Sequence, residues 1–205
     1  MLRSLFDGVM ERRATALIGQ LDGWLPRSGR VLDLGSGTGH LAATLERDRG
    51  LQVVAADVTD MHVTGPRPVL VSDGMLPFPS DSFATALLVF MLGYPRDPAT
   101  VLREAARVTR GPVIVVQSVN SGRIGRAWHR AREFVWTVLA FHVSRVIGYV
   151  PPDARFSMST RRFYTERELH RDVTAAGLRV RSKRERPVLP GRALVVAGWE
   201  LVRDA

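Results

Sequence analysis

One short segment, VLDLGSGTGH at residues 31–40, limits most strongly how this chain can fold. Its first four residues form an apolar run with one carboxylate, which is typical of a buried strand, and the residues after it predict a helix. Gly35, Gly37 and Gly39 therefore fall in a strand-to-helix turn. Because glycine allows positive φ and close approach of a ligand, the turn predicts a seat for a nucleotide-like cofactor. A tight turn without a ligand is the alternative.

The composition indicates one globular domain. The chain has 205 residues, 45% of them hydrophobic and 24% charged, which is enough for an α/β domain with a sizeable core. No linker or repeat interrupts it, so we expect a single domain over 1–205. There is no cysteine, which excludes disulfides and thiolate metal sites, and no metal is expected. Asp7 interrupts the N-terminal apolar run, which disfavours a secretion signal and favours a cytoplasmic protein.

Positive charge is concentrated in the C-terminal part. Residues 1–120 hold 12 basic and 12 acidic side chains, while residues 121–205 hold 17 and 8, so the whole net charge of +9 lies there. A basic region of this kind can attract nucleic acid, anionic lipid or an acidic substrate, and it can equally be a solvated surface.

Helix and strand patterns alternate along the chain. The predicted elements are, in order, helix 8–24, strand 31–34, helix 39–48, strands 52–56, 68–71 and 84–90, a helix opened by Asp97 and Pro98, strand 113–116, a helix with a capping box from Thr165 to Glu168 that ends at Gly177, and strands near 178–183 and 193–202. This alternation predicts a Rossmann-like, doubly wound α/β fold with a mostly parallel seven-stranded sheet. The last two strands are expected to form an antiparallel pair.

Three acidic residues, Asp33, Asp57 and Asp73, lie in or just after the first three strands. Ligands of open α/β sheets bind at the carboxyl ends of the strands, so all three can border one crevice. Asp57 ends the second strand, where a carboxylate can accept hydrogen bonds from two ribose hydroxyls. NAD and S-adenosylmethionine both carry that ribose. A dinucleotide fingerprint requires glycine or alanine at position 40, where this chain has His40, and this favours S-adenosylmethionine.

Four segments taken together, VLDLGSGTGH, VVAADV, DGMLPFPSDSF and DPATVLREAARVTRGP, resemble the class I S-adenosylmethionine-dependent methyltransferases. Within that class the chain is similar to the small-molecule group that includes the ubiquinone and menaquinone C-methyltransferases. The resemblance covers residues 8–120, and Phe163 to Val180 is similar to the family's late helix and strand. The turn before strand five departs from the family, with Arg110-Gly111-Pro112 where Pro-Gly-Gly is common.

The resemblance implies a role for each residue at the carboxyl ends of the first strands. Asp33 would hold the methionine ammonium, directly or through water, and Asp57 would take the ribose hydroxyls. Val58 would lie on the adenine ring, while Asp73 with Gly74 or Met75 would read its amino edge. Caps, turns and core packing are the alternative roles. The full predicted cofactor set is Asp33, Gly35, Ser36, Gly37, Gly39, His40, Asp57, Val58, Asp73, Gly74, Met75 and Phe90.

Transfer of a methyl group from a sulfonium requires an aligned acceptor and exclusion of water, and no covalent intermediate. A general base is needed only where the attacking atom must lose a proton. The candidates are Tyr94, just beyond strand four, and His129 or His142 after strand five. Either histidine can equally be a packed or surface residue.

The segment 121–162 is the most individual part of the sequence. From Arg123 to Phe141 one helical face is apolar and arginines crowd another, which predicts a basic amphipathic helix. We expect a helical cap inserted after strand five that covers the site with its apolar face, which implies a hydrophobic or aromatic acceptor. Peripheral contact with a membrane through 123–147 is a further expectation. An ordinary helix packed on the sheet, or a dimer contact, is the alternative.

Three functions follow from these patterns. The first is methylation of a small apolar metabolite such as a lipid, a quinone or a secondary product. The second is methylation of RNA or another nucleic acid, which is disfavoured because the basic residues alternate with apolar ones at core spacing and no Asn-Pro-Pro-Tyr-like motif follows strand four. The third is a non-catalytic binding protein on the same fold. Either a monomer or a homodimer is expected.

Overall fold

The computed structural model describes residues 2–72, 74–122, 125, 127–128, 130–131, 134, 160–188 and 194–204. Its strands are β1 (Arg30–Leu34), β2 (Gln52–Asp57), β3 (Val69–Leu70), β4 (Thr85–Val89), β5 (Val113–Asn120), β6 (Leu178–Pro187) and β7 (Leu194–Arg203). Its helices are α1 (Leu2–Leu21), α2 (His40–Arg49), α3 (Pro98–Val108) and α4 (Glu166–Ala175).

The seven strands form one sheet in the order β3-β2-β1-β4-β5-β7-β6. The first five are parallel, and β7 runs antiparallel to both β5 and β6. The predicted doubly wound, mostly parallel seven-stranded sheet is therefore confirmed. The order reverses between β1 and β4, and the carboxyl ends of these two strands are where such sheets bind ligands.

Helices cover both faces of the sheet. Since alternate residues of a strand point to opposite faces, neighbouring residues belong to different cores. On β1, Leu32 belongs to the core shared with α3 and α4, whereas Val31 belongs to the core shared with α1 and α2. On β4, Leu88 and Leu87 divide in the same way. The central strands are thus fixed from both sides, which holds their carboxyl ends in place.

Two predicted helix starts are present. The Asp97 carboxylate accepts hydrogen bonds from the backbone of Ala99 and Thr100 at 3.1 and 3.2 Å, and α3 begins at the next residue. Thr165 and Glu168 form the reciprocal capping box of α4. Local sequence signals therefore determine where both helices on this face begin.

Four elements differ most clearly from their predicted bounds. Helix α1 runs from Leu2 to Leu21 rather than over 8–24, and it ends early because Gly23 turns the chain with a φ of 84°. Strand β6 continues to Pro187, four residues past the predicted 183. Strand β3 has only two residues, both exposed at the edge of the sheet. Strand β5 continues four residues past the predicted 113–116, because β7 pairs with it from Val113 to Asn120.

Most of the predicted cap, residues 121–162, lies outside the described residues, and so do Asp73, His129 and His142. Among its described side chains, Trp128 is 52% exposed and Phe134 is 71% exposed. No helix in the described ranges is long and apolar enough to cross a membrane.

Candidate functional site

The glycine turn between β1 and α2 has positive φ at all three glycines. At Gly35 an added Cβ would lie 2.7 Å from the Cβ of Met91, and at Gly39 it would lie 2.3 Å from the carbonyl oxygen of Thr64. At Gly37 no heavy atom of the described chain lies within 4 Å of such a Cβ. Two of the glycines therefore serve close packing within the protein, and Gly37 leaves room for a ligand.

Asp57, the last residue of β2, fixes the position of this turn. Its Oδ2 accepts a hydrogen bond from the Gly37 N–H at 2.8 Å, and its Oδ1 accepts one from the Val58 N–H at 2.7 Å. Oδ1 also accepts a longer hydrogen bond from the Thr59 N–H at 3.4 Å, and Oδ2 has a lone pair left for a second donor. The group can therefore orient the turn and still receive a ligand hydroxyl.

Asp33 lies in β1, two residues before the turn. The residue is 1% exposed, and its Oδ2 has no hydrogen-bond partner within the described chain. Burial, and to a smaller extent the charge of Asp57, raises the pKa of Asp33 from 3.8 to about 7. A cationic group beside this carboxyl would lower that pKa again and give the unpaired oxygen a partner. The position therefore suits a ligand that carries positive charge.

The loop between β2 and β3 supplies His62, a residue outside the predicted site. Its Nδ1 is 2.5 Å from the carbonyl oxygen of Pro66, and its Nε2 is 2.7 Å from Ser36 Oγ. Because a carbonyl only accepts, Nδ1 carries the hydrogen and the Ser36 hydroxyl donates to Nε2. Burial lowers the pKa of His62, which agrees with a neutral ring. The side chain of Ser36, predicted to contact a cofactor, is thus engaged within the protein.

The length of this loop is the signal that could have revealed its role. Eleven residues separate β2 from β3, too few for a crossover helix with its turns. The loop instead folds back on the glycine turn, where the Val63 N–H donates to the Thr38 carbonyl at 3.2 Å. It closes the side of the turn at which Gly39 lies.

His40 is held at the start of α2 by two side-chain contacts. Its Nδ1 is 2.9 Å from Thr38 Oγ1, and its Nε2 is 3.2 Å from the Asp7 carboxylate. The residue is 5% exposed. These contacts join α1 to the start of α2, and the cofactor contact predicted for His40 stays a prediction.

Apolar side chains are exposed beside the ends of β2 and β3. Val58 is 54% exposed and Met75 is 72% exposed, so neither is a core residue. Gly74, with a φ of 90°, lies so close to Thr100 that an added Cβ would be 3.0 Å from its Cγ2. Exposed apolar surface at this edge of the sheet suits a planar ring.

The segment after β4 borders the turn from the other side. Phe90 has a φ of 54°, which is strained for a bulky residue, and its N–H donates to the Val116 carbonyl at 2.7 Å. Met91 follows and packs against Gly35. Tyr94 is partly buried, and its N–H donates to the Met91 carbonyl. Of the three candidate bases, Tyr94 is the one that the structure describes, and it lies in this segment.

Gln117 adds a second unpaired polar group at the carboxyl ends of the strands. The residue is 5% exposed, and its Oε1 has no partner among the described residues. Its Nε2 lies 3.9 Å from the position of an added Cβ at Gly93, in the segment after β4. Gln117 is not among the predicted site residues because the predicted strand ended one residue earlier.

Comparison with known proteins points to one family. The model of the methyltransferase domain family matches residues 6–183. An uncharacterized methyltransferase of Mycobacterium tuberculosis is 34% identical over 120 residues, which are 55% of this chain and 45% of the relative. The chain therefore spans about half the length of the curated relatives that it matches.

Solved structures share the architecture at low sequence identity. The cyclase SpnF superposes with a TM-score of 0.65 and 16% identity, covering 95% of this chain and 82% of that one. A geranyl diphosphate methyltransferase in complex with SAM has a TM-score of 0.61 and 13% identity, covering 95% and 85%. At these identities the likeness shows the fold alone.

Proposed function

We propose that this chain, which belongs to the methyltransferase domain family, binds S-adenosylmethionine at the carboxyl edge of its sheet and transfers the methyl group to a small molecule. One juxtaposition carries the proposal. Gly37, open to a ligand, is hydrogen-bonded to Asp57 and lies four residues from Asp33, whose buried carboxyl has one oxygen without a partner in the described chain. A dinucleotide would bring an anionic pyrophosphate to this edge rather than a cationic partner for that carboxyl.

The residues at this edge fit the parts of the cofactor. Asp57 would accept hydrogen bonds from the ribose hydroxyls, and Asp33 would face the methionine ammonium. Val58 and Met75 would cover the adenine ring, with Gly74 and the predicted contribution of Asp73 at its amino edge. When bound, the cofactor supplies a methyl group that is already activated by the sulfonium. The protein then has to align the acceptor and keep water out.

The segment after β4 and the end of β5 would orient the acceptor. Gln117 offers an unpaired amide oxygen to a donor on the acceptor. Tyr94 is the candidate base for an acceptor that loses a proton, with His129 and His142 as alternatives. Phe90, held in a strained conformation, would shape the wall between the cofactor and the acceptor.

The acceptor in this proposal is a hydrophobic or aromatic small molecule, such as a lipid, a quinone or a secondary metabolite. Support comes from the exposed aromatic side chains of Trp128 and Phe134 in the segment after β5. Contact of residues 123–147 with a membrane surface stays part of the proposal.

A nucleic-acid substrate is less well supported, because four of the five basic residues of β6 have partners within the protein. Arg181 pairs with Glu200 at 3.5 Å, and Lys183 pairs with Glu185. Arg184 donates to the Gln20 carbonyl at 2.6 Å. Nucleic-acid binding depends on cations that are available to phosphates, and these cations already have partners.

The test separates binding from transfer. Isothermal titration of S-adenosylmethionine measures binding, with Asp57→Ala as the variant that should lose it. Incubation with cofactor labelled on the methyl group and a host-cell extract, followed by partition between organic solvent and water, measures transfer. Label in the organic phase supports an apolar acceptor, and label that precipitates with RNA supports the nucleic-acid alternative. Binding without any transfer supports a non-catalytic protein, and no binding contradicts the proposal.

A further inference from the structure

Beside the segment that follows β4, residues 90–94, lies a cavity of about 390 Å³. Four arginines line it: Arg130, Arg161, Arg162 and Arg171. The backbone N–H groups of Arg161 and Arg162 both donate to the carbonyl of Gly93, at 2.8 and 3.0 Å. The wall of this arginine cavity is therefore attached directly to that segment.

The same segment connects the arginine cavity to the candidate cofactor site. Met91 packs against Gly35 of the glycine turn, and Gly93 follows two residues later. Two residues of extended chain span at most about 7 Å. At Gly93 an added Cβ would lie 2.8 Å from Thr160 Cγ2, so the chain that bears the arginines approaches closely. The two sites are neighbours at one edge of the sheet.

A buried carboxylate holds two of the arginines in place. Asp172 is 6% exposed, and its Oδ2 accepts from Arg162 at 3.3 Å and from the Tyr164 hydroxyl at 2.9 Å. Its Oδ1 is 3.5 Å from Arg171. Arg162 also donates to the carbonyl of Arg96 at 3.3 Å. Since these guanidinium groups are oriented beforehand, a ligand loses less free energy in ordering them.

The charges around the arginine cavity do not balance. Arg161 makes no ion pair within the described ranges, and Arg130 lies over the ring of Phe163 at 5.8 Å. The carboxylate of Glu168 is engaged in capping α4. Four arginines against Glu168 and Asp172 leave an excess of two positive charges.

We propose that the arginine cavity binds a phosphate group of the methyl acceptor. A guanidinium matches the geometry of phosphate oxygens, and a phosphate monoester carries a charge of about −1.5 to −2 at pH 7, close to the excess here. The inference rests on the proposed function and narrows its substrate class. The acceptor joins a phosphate to an apolar body, with the phosphate beside α4 and the reacting atom toward Gly37.

Isothermal titration at constant ionic strength tests this with inorganic phosphate and phenyl phosphate as probes. Replacing one charged donor weakens phosphate binding about tenfold, so Arg161→Gln and Arg171→Gln should each show that loss. Arg167→Gln is the matched control, because Arg167 is exposed on α4, the helix that carries Arg171, but lines a different cavity. It should keep its affinity within about twofold. Unchanged thermal unfolding of the exposed Arg161→Gln variant shows that the fold is intact.

Absence of phosphate binding by the wild-type protein, or equal weakening in Arg167→Gln, would overturn the inference. Titration of S-adenosylmethionine into the same samples tests the proposed function separately from the phosphate site. Cofactor binding without phosphate binding overturns the inference alone. Phosphate binding without cofactor binding overturns the proposed function and leaves an anion site.

The phosphate can belong to a soluble ester or to a lipid head group, and sedimentation with vesicles that contain phosphatidic acid separates the two. If the wild-type protein sediments with these vesicles and the Arg161→Gln variant does not, the result supports a phosphate site that binds a lipid acceptor. Binding of phenyl phosphate without sedimentation supports it with a soluble ester.

Discussion

Asp33→Asn is expected to stabilise the ligand-free protein at pH 8 while it weakens binding of S-adenosylmethionine. The wild-type carboxyl is buried, one of its oxygens has no partner in the described chain, and its pKa rises from 3.8 to about 7 on folding. Between about pH 4 and pH 7 the folded state keeps a proton that the unfolded state has lost. The free energy of unfolding therefore falls as the pH rises through that range, and it stays low above it.

The expected size follows from the same values. The folded and unfolded pKa values differ by about three units, which corresponds to a loss of about 4 kcal/mol in the free energy of unfolding at pH 8. At pH 5.5 only about half of this loss has developed. Asparagine has nearly the same shape and does not ionise, so the variant escapes the loss. Its gain in unfolding free energy should be larger at pH 8 than at pH 5.5 by about 2 kcal/mol.

Urea denaturation of both proteins at the two pH values measures this difference. Asp48→Asn is the control, because Asp48 pairs with Arg47 on the surface of α2, where loss of an ion pair should change the unfolding free energy little. An equal gain at pH 5.5 and pH 8, or a loss at pH 8, would refute the reasoning. Calorimetry adds a second test. At pH 7 about half of the Asp33 carboxyls are protonated, so wild-type protein should release about half a proton per cofactor bound.

Three further experiments with substituted proteins test the geometry of the turn. Asp57→Ala should weaken S-adenosylmethionine binding at least about thirtyfold by calorimetry, because it removes both the carboxylate proposed to hold the ribose hydroxyls and its three hydrogen bonds to backbone N–H groups, and Asp48→Ala should leave binding unchanged; similar losses in both would contradict the assignment. Gly39→Ala should lower the melting temperature far more than Gly37→Ala, because only the first places a Cβ 2.3 Å from a carbonyl oxygen. Gly37→Ala should lower the free energy of unfolding by about 1 kcal/mol. A larger drop in melting temperature for Gly37→Ala would be evidence against the packing described. His62→Ala leaves a buried hydroxyl without its acceptor and should cost about 1–3 kcal/mol in urea denaturation, with weaker cofactor binding; unchanged stability would show that the contact does not hold the turn.

The parallel part of the fold was predictable because its signals are local. An apolar run, a glycine turn and a capping residue each lie within a few positions, as at β1 and at Asp97 in front of α3. The extent of β5 was not predictable. Residues from Gln117 to Asn120 include polar side chains, yet they are buried because β7, about 80 residues later in the chain, pairs with them.

Some residues of the candidate site were predictable from local signals, and others were not. Asp33, Gly37 and Asp57 could be located from strand ends and glycine spacing. The length of the loop between β2 and β3 indicates that the loop has a role, but not that His62 supplies the contact, because its contact with Ser36 joins positions 26 residues apart. The attachment of Arg161 to Gly93 spans a still longer distance in sequence. His40 was assigned to the cofactor by its neighbourhood alone, whereas its ring is engaged by Asp7 of α1.

The crystal structure of the protein bound to S-adenosylhomocysteine tests the central claim most directly. We expect the ribose hydroxyls within hydrogen-bonding distance of Asp57, the ammonium group beside Asp33, and the ligand against the open face of Gly37. A ligand bound elsewhere, or a crevice in which Asp33 stays unpaired with the ligand present, would contradict the account.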